Sequence, residues 1–287
     1  MKPSKFRYHA PTDVSEAVGL LAEHRDDAKV LAGGQSLVPL MSLRLASFDH
    51  IIDLNAVAGL DRIERSNGQV RIGALVRQSA AEHDATVAAG APLLAKALPH
   101  VGHFQIRNRG TVGGSIAHAD PASELPAVAL ALDATIEAAG PGGRREIAAD
   151  DFFESTWQTS LDESEILTAI RFPVWDGASG FAVEEVARRH GDFALCGAVC
   201  GVTLDGDTVT RAAIGLFGVG PTPVRATAAE QALVAAGANG DLTAIGRQAA
   251  RPLEPNDDIH ASGAYRKQVA AVLVRRALVR AIEEARS

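Results

Sequence analysis

Between Gly110 and Pro126 the chain reads GTVGGSIAHADPASELP, a run too rich in glycine and polar groups to be ordinary core. Gly110, Gly113 and Gly114 leave the backbone open to close approach, Thr111 and Ser115 add hydroxyls, and Asp120 and Glu124 follow. The basic pair Arg107 and Arg109 stands just before it. Backbone N–H groups, hydroxyls and cations together suit an anion such as a phosphate. The plainer reading is a glycine-rich turn between strands, and one Gly-Gly pair does not separate the two.

A second segment of the same character lies upstream, KVLAGGQSL at Lys29–Leu37. Val30, Leu31 and Ala32 read as a short buried strand, Gly33 and Gly34 as a tight turn, and Ser36 as the N-cap of a helix over 37–45. A strand, a glycine turn and a helix start form a suitable pyrophosphate cradle, and two such loops suggest one long ligand. Neither loop is a Rossmann fingerprint, since G-x-G-x-x-G is absent, nor a P-loop, since no Gly-Lys-Ser/Thr follows.

Taken together, four stretches carry a family resemblance that runs nearly end to end. They are AGGQSLVPLM at 32–41, QIRNRGTVGGSIAHADPASELPA at 105–127, ARRHGDFA at 187–194, and a helix beginning near Tyr265 and Arg266. The chain resembles the FAD-binding medium subunit of the molybdenum hydroxylases. That family includes the flavoproteins of carbon monoxide dehydrogenase and of quinoline, nicotine and caffeine oxidoreductases, and the flavin domain of xanthine dehydrogenase. The resemblance implies an α+β fold: a two-lobed FAD-binding domain of the vanillyl-alcohol-oxidase-like (PCMH) type, then a C-terminal domain of a three-stranded antiparallel sheet plus helices.

The 287 residues suit two domains, each large enough to bury a core of its own, and 47% hydrophobic with 22% charged residues reads as globular. A net charge of −7 with no basic tract argues against nucleic acid as a partner. No signal peptide and no 18-residue apolar span is evident, so the expectation is a cytoplasmic protein. Cys196 and Cys200 are too few for an iron–sulfur cluster and lack a zinc pattern around them, so they are expected as small buried residues of a strand.

Along the chain, a helix is expected at 12–24, capped by Thr12 or Asp13 with Glu16 placed for a capping box, and strands at 28–32, 50–55 and 70–73. Residues 1–55 form a plausible first lobe and 56–176 a second. Helices follow at 79–83, 91–101 and 125–131, with paired strands at 133–139 and 146–149 and another at 166–172. Turn-forming residues at 173–180 place the domain boundary there, giving 1–176 and 177–287. The second part reads as strands at 180–186, 194–204 and 208–217, with a hairpin turn at Asp205-Gly206-Asp207, then helices at 227–236, 242–251 and 263–285. The apolar stripe of the last helix is read as Val269, Val272, Leu273, Val279 and Ile282, with Arg266, Lys267, Arg275, Arg276 and Arg280 on its solvated face.

By resemblance, Lys29, Val30, Leu31, Ala32, Gly33, Gly34, Gln35, Ser36 and Leu37 wrap the FAD pyrophosphate and ribitol. Gly110, Thr111, Gly114 and Ser115 meet the phosphates from the other side. Asp120 and Glu124 match acidic positions that accept from ribose or ribitol hydroxyls. The family often has Asp where Glu124 stands, so that contact is expected to be longer or water-bridged. Val101 and Leu167 match positions lining the pocket and serve equally as ordinary core. Phe193 stands where the family places a Tyr or an aliphatic residue beside the isoalloxazine. His103 and His118 lie near the second loop, as flavin-tuning or structural groups, and Arg188, Arg189 and Asp192 match a charged motif expected to form an ion-pair network.

The implied function is an oxidoreductase subunit that holds FAD noncovalently and relays electrons. Molybdopterin is expected on a large partner subunit and two [2Fe–2S] clusters on a small one, assembled as a dimer of heterotrimers, with no catalytic acid–base dyad or metal on this chain. A self-sufficient FAD oxidoreductase of the same wider fold, and a nonenzymatic nucleotide sensor, remain the alternatives.

Overall fold

Thr12, Asp13 and Glu16 start the first helix by capping each other. The Asp13 carboxylate accepts the Glu16 N–H at 2.9 Å, and the Glu16 carboxylate accepts the Thr12 N–H at 2.9 Å. The computed structural model describes residues 2–287, and this cap opens α1 (Val14–His24), which buries Ala17, Val18 and Leu21. Around it, β1 (Arg7–His9), β2 (Ala28–Leu31) and β3 (His50–Asp53) pair in the order β1-β3-β2, all parallel. Parallel neighbours need crossovers, and α2 (Leu37–Ser42) supplies the one between β2 and β3. The expected strand 50–55 stops at Asp53, because that carboxylate accepts the Asn55 N–H at 2.9 Å and turns 54–56 into a 3₁₀ coil.

The second lobe is a five-stranded antiparallel sheet with helices over it. A hairpin opens it, β4 (Ile63–Ser66) and β5 (Gln69–Gly73), whose turn residues Asn67 and Gly68 both take the positive φ of a primed turn. Short helices follow: α3 (Gln78–Glu82), α4 (Ala85–Gly90), α5 (Pro92–Ala97), α6 (Phe104–Arg107), α7 (Val112–His118) and α8 (Glu124–Ala131). The single helix expected over 91–101 is therefore α5 plus a 3₁₀ turn at Leu98–His100, where Pro99 has no N–H to continue the ladder. Strands β6 (Thr135–Gly140) and β7 (Gly143–Ala148) form the next hairpin, β8 (Phe153–Ser155) and β9 (Gln158–Thr159) a small ribbon, and β10 (Ile166–Pro173) completes the order β4-β5-β10-β6-β7. Every residue of α8 is buried, which explains why its apolar pattern has no polar face.

The C-terminal sheet contains β11 (Ala178–Ala187), β12 (Ala194–Asp205), β13 (Thr208–Phe217) and a two-residue fourth strand, β14 (Val224–Arg225). Gly206 takes φ +58° in the β12–β13 turn. Alternation along β12 and β13 sorts the two faces. Cys196, Ala198, Cys200, Ile214 and Leu216 face α9 (Thr227–Ala236), α10 (Leu242–Ala250) and α11 (Gly263–Ala285), while Val199, Ala213 and Phe217 join Leu125 and Val128 of α8 in one core. The C-terminal sheet thus shares its second face with the first part of the chain. Both cysteines are free and buried, and burial pushes the Cys196 thiol up to about 12 and the Cys200 thiol higher still.

Two expectations for α11 are corrected. Val272 is 43% exposed, and the buried stripe runs through Ala270, Leu273, Val274, Ala277, Leu278 and Ala281, because the close approach of β11 and β12 selects small residues. Arg266 is buried: it donates to Asp258 at 2.6 Å and to the carbonyls of Leu195 and Gly218, so it stitches the helix start to the sheet ends.

Candidate functional site

The first glycine segment leaves β2 at Leu31 and turns through Gly34, at φ +73°, into α2. Asn55 Nδ2 donates to the Ala32 carbonyl at 2.9 Å and Gln35 Nε2 to the Gly33 carbonyl at 3.1 Å, so the carbonyls are held. The N–H groups of Gly33, Gly34, Gln35 and Ser36 have no acceptor among the described residues. Ser36 caps α2 by position, yet its hydroxyl makes no capping bond. A run of free amides beside a free hydroxyl is a donor set that an anion can satisfy.

The second segment is built differently. Thr111 caps α7, its Oγ1 accepting the Gly114 N–H at 3.0 Å and its carbonyl the Ser115 N–H at 3.1 Å. The Val112 and Gly113 amides donate to the carbonyls of Val76 and Ala74 at 2.9 and 3.1 Å. These four amides are already satisfied, so this side contributes shape and hydroxyls. A Cβ on Gly113 would lie 2.5 Å from the Ala74 Cα, so glycine is what lets α7 sit against that backbone.

The two segments touch. A Cβ on Gly33 would stand 2.4 Å from the Arg109 carbonyl oxygen, and one on Gly114 would lie 3.5 Å from the Ala32 Cβ. Chain positions some eighty residues apart in sequence therefore meet as one bipartite surface.

Around that surface the expected residues take distinct places. Asp120, in the α7–α8 connection, accepts the Ala122 N–H at 2.9 Å and the Trp157 indole N–H at 3.1 Å. His118 stacks on Trp157 with centroids 6.3 Å apart, and burial lowers its pKa below the usual histidine value, with Lys29 adding to the effect. Glu124, at the start of α8, is only 6% exposed, and its pKa is pushed up to about 7, chiefly by burial and further by Glu185 and Asp120. Leu167 is buried in β10 beside Thr168, whose carbonyl accepts the Ala74 N–H at 2.9 Å, and Val101 packs against the same core. Phe193 is 64% exposed at the β11–β12 hairpin, whose Gly191 lies against the His103 ring. The charged motif there reduces to one pair, Arg188 and Asp192 at 3.7 Å, while Arg189 contributes its carbonyl to the Asp192 N–H.

Two residues that sequence reasoning missed tie the segments together: Asn55, which holds the Ala32 carbonyl, and Arg77, which donates to the Arg109 carbonyl at 2.5 Å. Neither lies in a motif or on a periodic face, so no local signal marks them. Two cavities of about 640 Å³ lie elsewhere, one lined by Leu60, Arg62, Arg71, Glu137 and Arg145, the other by Lys96, His100, Phe181 and Arg280. Among the described residues no helix is long and apolar enough to cross a membrane.

Residues 4–175 match the family described as the FAD binding domain in molybdopterin dehydrogenase, and residues 181–281 match the CO dehydrogenase flavoprotein C-terminal domain. The chain is 40% identical to the 6-hydroxypseudooxynicotine dehydrogenase complex subunit alpha of Paenarthrobacter nicotinovorans, covering 100% of this chain and 97% of that one. It is 38% identical to the caffeine dehydrogenase subunit beta of Pseudomonas sp. (strain CBB1), covering 99% and 97%. Its fold superposes on carbon monoxide dehydrogenase from Hydrogenophaga pseudoflava with a TM-score of 0.96 at 40% identity, covering 99% of both chains.

Proposed function

This chain belongs to the FAD-binding medium-subunit family of the molybdenum hydroxylases, and from that premise we propose that it holds one FAD noncovalently across its two glycine segments and relays electrons through it. The observation that carries this reading is the run of four unpartnered amides at Gly33–Ser36, pressed against the second segment. A diphosphate is the ligand such a donor row fits, because each N–H gains an acceptor it otherwise lacks.

In this reading the amides of Gly33, Gly34, Gln35 and Ser36, with the Ser36 hydroxyl, hold the diphosphate from one side. Gly110, Thr111, Gly114 and Ser115 close on it from the other, their glycines leaving room and their hydroxyls donating. Lys29 to Ala32 and Leu37 frame the first loop. Asp120 and Glu124 accept from sugar or ribitol hydroxyls, Val101 and Leu167 supply apolar wall, and Phe193 stands at the mouth. FAD held there would supply the redox chemistry of a relay between [2Fe–2S] clusters of a small subunit and an external acceptor. The chain itself fixes position, excludes water and sets the local field. Residues 1–176 act as the cofactor-binding unit and 177–287 as the C-terminal unit. The partners are a large molybdopterin subunit and a small iron–sulfur subunit in a dimer of heterotrimers, within the cytoplasm.

Titration of flavin-stripped chain with FAD, riboflavin and ADP tests the proposal. Tight uptake of FAD, with riboflavin much weaker for want of the diphosphate, is the expected result. Equal binding of riboflavin and FAD would remove the diphosphate cradle. Turnover of an organic substrate by the isolated chain with a dye acceptor would replace the relay role with self-sufficient catalysis.

A further inference from the structure

A cluster that the flavin site does not use lies at one end of the first lobe. His9 closes β1, His24 closes α1 and His50 opens β3, all three half-buried. His9 Nε2 and His50 Nδ1 are 2.9 Å apart although 41 residues separate them. The rings of His24 and His50 stack with centroids 3.6 Å apart, and those of His9 and His50 with centroids 5.1 Å apart. One ligand nitrogen from each ring falls within 4.8 Å of the others.

Three imidazoles held this closely make poor neighbours when protonated, since like charges would face each other across a stack. As neutral rings each keeps one nitrogen lone pair, and one ring nitrogen from each of three separate elements lies within 4.8 Å of the other two. We propose that His9, His24 and His50 bind a single divalent transition-metal ion of the zinc, cobalt, nickel or copper class.

The donor set chooses the class. Three nitrogens with no thiolate suit borderline cations, whereas magnesium and calcium ask for oxygen. Zinc–imidazole bonds of about 2.0–2.1 Å put tetrahedral nitrogens roughly 3.3 Å apart. Reaching that spacing requires the half-buried rings to turn, opening the His24–His50 stack and giving up the His9–His50 hydrogen bond in exchange for bonds to the ion. Glu23, whose carboxylate is 3.8 Å from His24 Nε2, or a water fills the fourth place. The ion would clip β1, the end of α1 and the start of β3 together, a cross-link between segments distant in sequence, and it stabilises the fold by binding only the folded state. This site is independent of the flavin reading, because it shares no residue with the glycine segments.

The test uses the untagged full-length chain, stripped with a chelator and dialysed. Zinc alone is titrated in competition with a chromophoric chelator, and cobalt alone is followed by its visible absorption. One equivalent taken up at micromolar metal, with the intense visible bands of a tetrahedral site, is the expected result, and the melting temperature rises with it. His50→Gln and, separately, His24→Gln weaken uptake by at least about tenfold, while His83→Gln, just past the end of α3, leaves it unchanged. Circular dichroism of each variant separates loss of the site from loss of the fold, so a folded variant that still takes up one equivalent overturns the proposal. Absence of uptake by the natural sequence overturns it as well.

Discussion

Arg77 Nη2 donates to Asn55 Oδ1 at 2.6 Å, and through this one bond the two glycine segments share a support. Asn55 holds the Ala32 carbonyl of the first segment at 2.9 Å, and Arg77 holds the Arg109 carbonyl before the second at 2.5 Å. Burial and the neighbouring Arg109 lower the Arg77 pKa, yet a guanidinium stays charged at any physiological pH. The result is a charge-assisted chain of three hydrogen bonds spanning the two lobes.

Arg77→Ala is expected to weaken FAD binding by about tenfold, or ~1.4 kcal/mol, since it removes the donor to the Arg109 carbonyl and leaves Asn55, which holds the Ala32 carbonyl, without its own support. Asn55→Ala has a similar effect, and the double variant is little worse than either single one because the two residues act through a common bond. Flavin-fluorescence titration of the four proteins measures the coupling. Additive losses would mean that the residues act separately.

Gly33→Ala drives a Cβ into backbone, 2.4 Å from the Arg109 oxygen and 2.7 Å from the Gly110 Cα, and neither atom moves cheaply. The segments are then forced apart, at a cost of about 1–3 kcal/mol in stability, together with loss of bound flavin. Gly142→Ala is the control, because a Cβ there meets nothing within 4 Å. Thermal melts and the flavin-to-protein absorbance ratio read both effects.

Much of this arrangement was legible in the chain itself. The capping box at Thr12–Glu16, the Asn67-Gly68 and Gly206 turns, and alternation along β12 and β13 depend on neighbours in sequence, so local chemistry marks them. The glycine segments were visible by composition and by family resemblance. Their division of labour was not, because whether an amide is free depends on where Val76 and Ala74 place their carbonyls. The Asn55–Arg77 latch and the buried Arg266 escaped for the same reason: each is a lone polar residue whose partners lie on other elements. On α11 periodicity points to Val269, Val272 and Val279, whereas close packing against the sheet buries Ala270, Ala277 and Ala281.

Glu124 should make stability depend on pH. Its pKa is raised to about 7 from an ordinary 4.5, so the folded state binds the proton more tightly than the unfolded state does. The stabilising contribution is full below about 4.5 and is lost as pH rises toward about 7, where the buried charge costs up to ~3 kcal/mol. Glu124→Gln, which carries no charge, is therefore more stable than the natural sequence at pH values above that window and little different below it. Urea melts of flavin-stripped protein on either side check this. A gain of equal size at both ends would mean that the carboxyl does not titrate there.

Phe193 separates a structural role from a functional one. At 64% exposure it contributes little to the core, so Phe193→Ala is expected to change stability by no more than about 0.5 kcal/mol. Its hairpin nonetheless packs on the rest of the chain at Gly191, where a Cβ would stand 2.6 Å from the His103 ring. On the placement proposed for it beside the isoalloxazine, the Phe193 ring would limit which acceptors reach the flavin edge, and without a hydroxyl it would do so by size alone. Phe193→Ala should therefore speed reoxidation of the reduced flavoprotein by a bulky dye more than by oxygen, while Phe193→Tyr retains the discrimination. Stopped-flow traces of the three proteins with both oxidants give the ratio, and an identical ratio in all three would place Phe193 away from the flavin.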